Sequence, residues 1–114
     1  MRRGEIFLAA FPFGDRAEVK LRPVLLLTDG VGIGSEVIAA YISSVVPARL
    51  LLTDVELSPA TSDDPRTGLK VASVLRLHKI ATLHRTVLQR RLGAVPPEIH
   101  AEVITRLQRL FAIP

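Results

Sequence analysis

Arg22-Pro23-Val24-Leu25-Leu26-Leu27-Thr28 constrains the fold more than any other stretch of the chain. Val24 to Leu27 are apolar at both strand parities, so the run reads as a central strand covered on both faces. Pro23 has no N–H and turns Arg22 away from the helical region, which puts the start of the strand here. A guanidinium at that point must reach water, a carboxylate or an anionic ligand, because a bare cation in a core is too costly.

The 114 residues suffice for a single domain, 1–114, with one modest core. There is no Cys, so a disulfide frame, a thiolate nucleophile and a cysteine-based zinc site are excluded. Aromatic residues make up only 4%, which argues against a single-strand binder built on stacking platforms. The apolar run after Met1-Arg2-Arg3-Gly4 is broken by Pro12 and Asp15, too soon for a signal peptide or a membrane span. A soluble cytoplasmic protein without membrane contact is the expectation. Charge is uneven: residues 1–57 carry net −1 and residues 58–114 net +5. That asymmetry favours a polyanionic partner.

Taken in order, Gly4–Phe13 reads as a first strand, and Gly14–Lys20 as a charged connection. Arg22–Thr28 is the second strand. Asp29-Gly30 and the glycines at 32 and 34 predict a hairpin rather than a phosphate cradle. A cradle needs a helix directly after its glycines, whereas Glu36–Val46 is β-branched and lacks a helical period. Leu50–Leu57 predicts a fourth strand, 58–67 a long polar loop, and 68–83 one or two more strands. His84–Leu92 reads as a short helix closed by Gly93. Pro96-Pro97-Glu98 opens a last helix with Ile99, Val103, Leu107, Leu110 and Phe111 on one face. Short strands followed by a terminal helix suit a mainly β, strongly bent sheet or barrel with a helical cap.

Arg3-Gly4-Glu5-Ile6 with Phe11, then Arg22-Pro23 and its apolar run, resembles the opening of MazF/PemK-type toxins. Tyr41-Ile42-Ser43-Ser44 falls where that family carries a strand ending in Ile-Thr-Ser. Gly68-Leu69 through Ser73-Val74, followed by Arg76-Leu77-His78-Lys79-Ile80-Ala81-Thr82-Leu83, resembles its later strand pair. The resemblance spans nearly the whole chain. It implies an SH3-like β-barrel that forms a homodimer, a cofactor-free endoribonuclease that cuts single-stranded RNA at short motifs, and a cognate antitoxin with a disordered acidic tail over the RNA site. Two positions depart from the family pattern: Ser43 replaces the usual Thr, and His78 stands where some relatives carry Asp, a candidate base.

Metal-free RNA cleavage needs a base for the 2′-OH, cations for the phosphorane and an acid for the leaving oxygen. Arg22 is the leading phosphate contact, since its fork matches phosphate oxygens; the alternative is a structural ion pair with Asp29 or Glu36. Strand alternation sets Ser43 beside Tyr41 and Ala39, as the better hydroxyl for phosphate or for orienting Arg22. Ser44 falls on the Ile42 side, which looks like core, and is kept only as a possible RNA contact. Arg76 and His78 lie two apart on a predicted strand, the second able to act as acid or base near neutrality. Arg16, Lys20 and Lys79 are expected to guide RNA. His78, His84 and His100 are too dispersed to suggest a metal site. The rival reading is a non-catalytic toxin of the same barrel that binds DNA gyrase; a third is an inactive member that binds RNA or antitoxin.

Overall fold

The structure, a computed structural model, describes residues 1–11 and 20–114. Six strands precede one helix: β1 (Glu5–Ala10), β2 (Leu21–Leu26), β3 (Glu36–Ser43), β4 (Asp54–Leu57), β5 (Ser73–His84), β6 (Leu88–Ala94) and α1 (Pro97–Leu110). All neighbours pair antiparallel, in the order β4-β5-β3-β2-β1-β6.

That order forces the sheet to curl. β5 and β6 sit four strand positions apart, about 19 Å across a flat sheet. Yet a single 3-10 turn, Arg85–Val87, joins them, and its three residues rise only about 6 Å. The sheet therefore closes towards a barrel, as the mainly β reading expected.

The Arg-Pro run behaves as anticipated. Val24, Leu25 and Leu26 are each almost fully buried, because apolar clusters cover both faces of β2. One cluster holds Ile6, Leu25, Ile42, Leu75 and Leu77 beneath α1; the other holds Ala9, Phe11, Val24, Leu26 and Val37 on the opposite face. Helix α1 starts at Pro97, with Glu98 in its first turn, as predicted. Its Val103 is buried and Ile99 and Leu107 pack on the core, but Leu110 and Phe111 stand exposed beyond the stripe's inner end. The glycine-rich segment after Asp29 is a hairpin, closed by Val31 N–H on the Glu36 carbonyl.

Several boundaries differ from expectation. The predicted helix over His84–Leu92 is instead the end of β5, the 3-10 turn and most of β6. β3 stops at Ser43 because its hydroxyl folds onto the backbone of Val45. β4 starts only at Asp54, since Asp54 closes a turn on Leu51 through both its N–H and its carboxylate. Residues 68–83 supply one strand, which continues to His84. Among the described residues no helix is long and apolar enough to cross a membrane.

Candidate functional site

Cross-strand register assembles one row of side chains from four strands. Val24 of β2 faces Tyr41 of β3, Tyr41 faces Arg76 of β5, and Arg76 faces Asp54 of β4. Directly opposed residues project to the same side of a sheet, so these share a face. Arg22 lies two residues from Val24 on the same side and opposite Ala9 of β1. Continuing the β2–β3 register by two residues sets Ser43 against Arg22. The face therefore carries Arg22, Tyr41, Ser43, Arg76 and Asp54.

Arg22 takes neither ion pair suggested for it. Asp29 accepts from the N–H of Arg3, and among the described residues Arg22 has no carboxylate partner. Its Nε is buried and makes no hydrogen bond. An unmet buried donor costs about 1–3 kcal/mol, more on a charged group, and an anion would relieve that cost. Tyr41 beside it packs on Phe11, ring centroids 5.6 Å apart, and the Lys79 ammonium stands 5.6 Å from the Tyr41 centroid. Lys20 is exposed just ahead of β2.

Arg76 is held differently. Its Nε donates to Asp54 Oδ1 at 2.9 Å and its Nη2 to Oδ2 at 3.4 Å. The Asp54 side chain has no exposed surface, while that of Arg76 is 20% exposed. This buried carboxylate orients the guanidinium and offsets part of its charge.

His78 sits in a disruption of β5. Ala40 pairs with Ile80, but the next residue, Tyr41, pairs with Arg76, so Leu77, His78 and Lys79 have no opposite number on β3. Such bulges re-aim side chains. Leu77 turns into the core and donates its N–H to the Thr53 carbonyl at 2.8 Å, and the exposed His78 places Nδ1 2.7 Å from Thr53 Oγ1. Burial, first, lowers the His78 pKa from 6.5; the Arg76 and Lys79 charges lower it further, and Asp54 pulls in the opposite direction.

The two serines reverse their expected burial. Ser43 is buried, with its hydroxyl bonded to the Val45 backbone, while Ser44 is exposed. Ser43 lies on the Arg22 face but makes no bond to Arg22. Arg16 lies outside the described residues. Thr53 and Asp54, which hold His78 and Arg76, were not found from sequence. Among the described residues no three His, Cys, Asp or Glu gather into a metal-ligating group.

A curled six-stranded antiparallel sheet with one terminal helix and an arginine-bearing face is the architecture of a known class. The chain belongs to the PemK-like, MazF-like toxins of type II toxin-antitoxin systems, whose family model matches residues 2–111. Over 100 residues it is 36% identical to the probable endoribonuclease MazF2 of Mycobacterium tuberculosis, covering 85% of this chain and 84% of that one. Its fold matches that of the M. tuberculosis toxin MazF-mt6, with a TM-score of 0.73, 25% identity and coverage of 96% and 98% of the two chains. It also matches an endoribonuclease in complex with its cognate antitoxin from Mycobacterial species, with a TM-score of 0.72, 21% identity and coverage of 100% and 97%.

Proposed function

We propose that this chain is the toxin of a type II pair and acts as a sequence-specific, metal-independent endoribonuclease on single-stranded RNA. The observation that carries the reading is the buried, unpartnered Nε of Arg22, on a face shared with Tyr41 and Arg76. A phosphate would satisfy that donor, and the guanidinium fork suits its oxygens. The 36% identity to a probable endoribonuclease points to the same chemistry.

In this reading the RNA 2′-oxygen attacks its own 3′-phosphorus. A bond forms from phosphorus to the 2′-oxygen, and the bond to the 5′-oxygen breaks. The products are a 2′,3′-cyclic phosphate and a 5′-OH. His78 takes the proton of the 2′-OH, Arg22 and Arg76 stabilise charge on the phosphorane, and the leaving oxygen is protonated from water. Ser43 shapes the strand end beside Arg22 rather than offering a free hydroxyl. Lys20 and Lys79 guide the strand, with Arg16 and Ser44 as further RNA contacts. A cognate antitoxin fits the same cationic face, and the complex of one structural relative with its own antitoxin supports such a partner. The strongly exposed Val45, Leu52 and Phe111 favour a homodimer that covers apolar surface.

Purified protein incubated with single-stranded RNA in EDTA should yield cyclic-phosphate and 5′-OH ends. Arg22→Ala should keep the fold and lower kcat by about 10²–10³, the usual loss for one transition-state donor. Absence of cleavage across diverse RNAs, together with trapping of gyrase on DNA, would favour the rival reading instead.

A further inference from the structure

We propose that Thr53 is a positioning residue for catalysis: its hydroxyl accepts the Nδ1–H of His78, fixes the tautomer, and so leaves the Nε2 lone pair as the proton acceptor for the RNA 2′-OH. The proposal rests on the endoribonuclease reading above. It adds the group that prepares the base, and it explains how a histidine can serve at a position where a carboxylate would need no tautomer.

The geometry gives Thr53 this role because Thr53 itself cannot drift. It is the third residue of the Leu51–Asp54 turn, which is closed by Asp54 N–H on the Leu51 carbonyl at 3.0 Å and by Leu51 N–H on Asp54 Oδ2 at 2.9 Å. Its own carbonyl accepts from Leu77 N–H at 2.8 Å, across from the bulge that carries His78. The Thr53 Oγ1 to His78 Nδ1 distance of 2.7 Å is that of a well-formed hydrogen bond. Nε2 of His78 has no hydrogen-bond partner among the described residues, and the residue is exposed.

The dipeptide Thr53-Asp54 thus grips two residues spaced i, i+2 on the neighbouring strand. Asp54 holds Arg76 through Nε, and Thr53 holds His78 through Nδ1. One turn orients both the cation that would meet the phosphate and the base that would meet the 2′-OH. The hydrogen bond at one ring nitrogen decides which form the other takes, so the hydroxyl sets the chemistry at Nε2. The groups facing the ring are Arg76 and Lys79 of β5, Asp54 of β4 and Thr53 itself; the two cations oppose protonation and Asp54 favours it.

The test combines imidazole ¹⁵N NMR on the folded chain with RNA cleavage, in the unaltered protein, Thr53→Val and Thr53→Ser. The unaltered protein should show neutral His78 protonated at Nδ1. Thr53→Val should shift the ring towards the Nε2–H tautomer and lower kcat by about tenfold to a hundredfold with KM little changed. Thr53→Ser, which keeps the hydroxyl, should restore both. An Nε2–H tautomer in the unaltered protein would overturn the proposal. So would a Thr53→Val variant that cleaves at full rate while Arg22→Ala has lost activity. Failure of the unaltered chain to cleave any RNA would instead overturn the endoribonuclease reading, and the catalytic role of His78 with it. The NMR tautomer would still report on the Thr53 anchor in that case.

Discussion

Arg22 and Arg76 share a face yet are set for different work. Arg76 answers to a carboxylate with no exposed surface, and deleting one partner of such a pair leaves an uncompensated buried charge. Arg22 has no such answer among the described residues and retains an unmet donor at Nε. The position of Arg22 at the mouth of a buried strand was legible because Pro23 and the apolar run mark it locally. The partners of Arg76 and His78 were not legible, since Asp54 lies 22 residues from Arg76 and Thr53 lies 25 from His78. Only the fold brings them together, and no local pattern announces a pair so distant in sequence. The same residues predict a pH profile. A base must be neutral to accept a proton, so the rate falls as His78 becomes protonated. Burial first, then Arg76 and Lys79, favour the neutral ring, which places the midpoint of the acid limb below 6.5. Single-turnover cleavage measured across acid pH should show this limb, and His78→Ala should abolish it along with most of the rate. A limb centred above 6.5 that persists in His78→Ala would assign the base elsewhere. Folding responds in the same sense: the unfolded chain takes up this proton first, so stability declines as pH falls through that window.

At the level of elements, β6 shows why a strand passed for a helix. Leu88 and Leu92 are four apart, a spacing that fits both a helical turn and two strand repeats. The ladder between β1 and β6 also contains register shifts, which blur strict alternation along β6. Gly93 reinforced the helical reading, since a glycine after an apolar turn resembles a helix stop. Its actual reason is space. A Cβ there would stand 2.2 Å from the Arg66 carbonyl oxygen, and one on Gly68 would stand 1.9 Å from that of Leu92. The segment around Arg66–Gly68 crosses β6 backbone to backbone, secured by Ala94 N–H on the Arg66 carbonyl at 2.8 Å. This crossing ties the long loop to β6, the edge strand of the curled sheet. Gly93→Ala and Gly68→Ala should each lose about 3 kcal/mol or more in urea unfolding, because backbone must move to admit the methyl. Gly32→Ala provides the contrast. Gly32 has a φ of +69° but open space around it, so only the left-handed strain of about 1–2 kcal/mol remains. Equal losses at the three positions would refute the crossing as the cause.

Across the whole molecule, the cations of the basic second half are not equally available to a polyanion. Some of its arginines already hold carboxylates on the surface. Arg91 pairs with Glu5, Arg106 with Glu102 and the Leu52 carbonyl, and Arg66 with Asp64 and Glu98. Exposed pairs of this kind contribute little to stability, but they reduce what each cation can offer a polyanion. On the candidate face, Arg22 of the first half keeps an unmet Nε, and Lys79 of the second half stands over the Tyr41 ring. Binding of single-stranded RNA should therefore weaken with salt, with log K falling by about 0.7 per phosphate contacted for each decade of salt. Two or three phosphates on this face give a slope of about −1.4 to −2.1. Arg22→Ala should remove about 0.7 of that slope, whereas Arg91→Gln, whose charge is spent on Glu5, should leave it nearly unchanged. Titrations from low to moderate salt with an uncleavable RNA, blocked at the 2′-oxygen, separate binding from turnover. A flat salt response, or equal effects of the two substitutions, would move the RNA path off this face and onto the paired arginines of the outer surface.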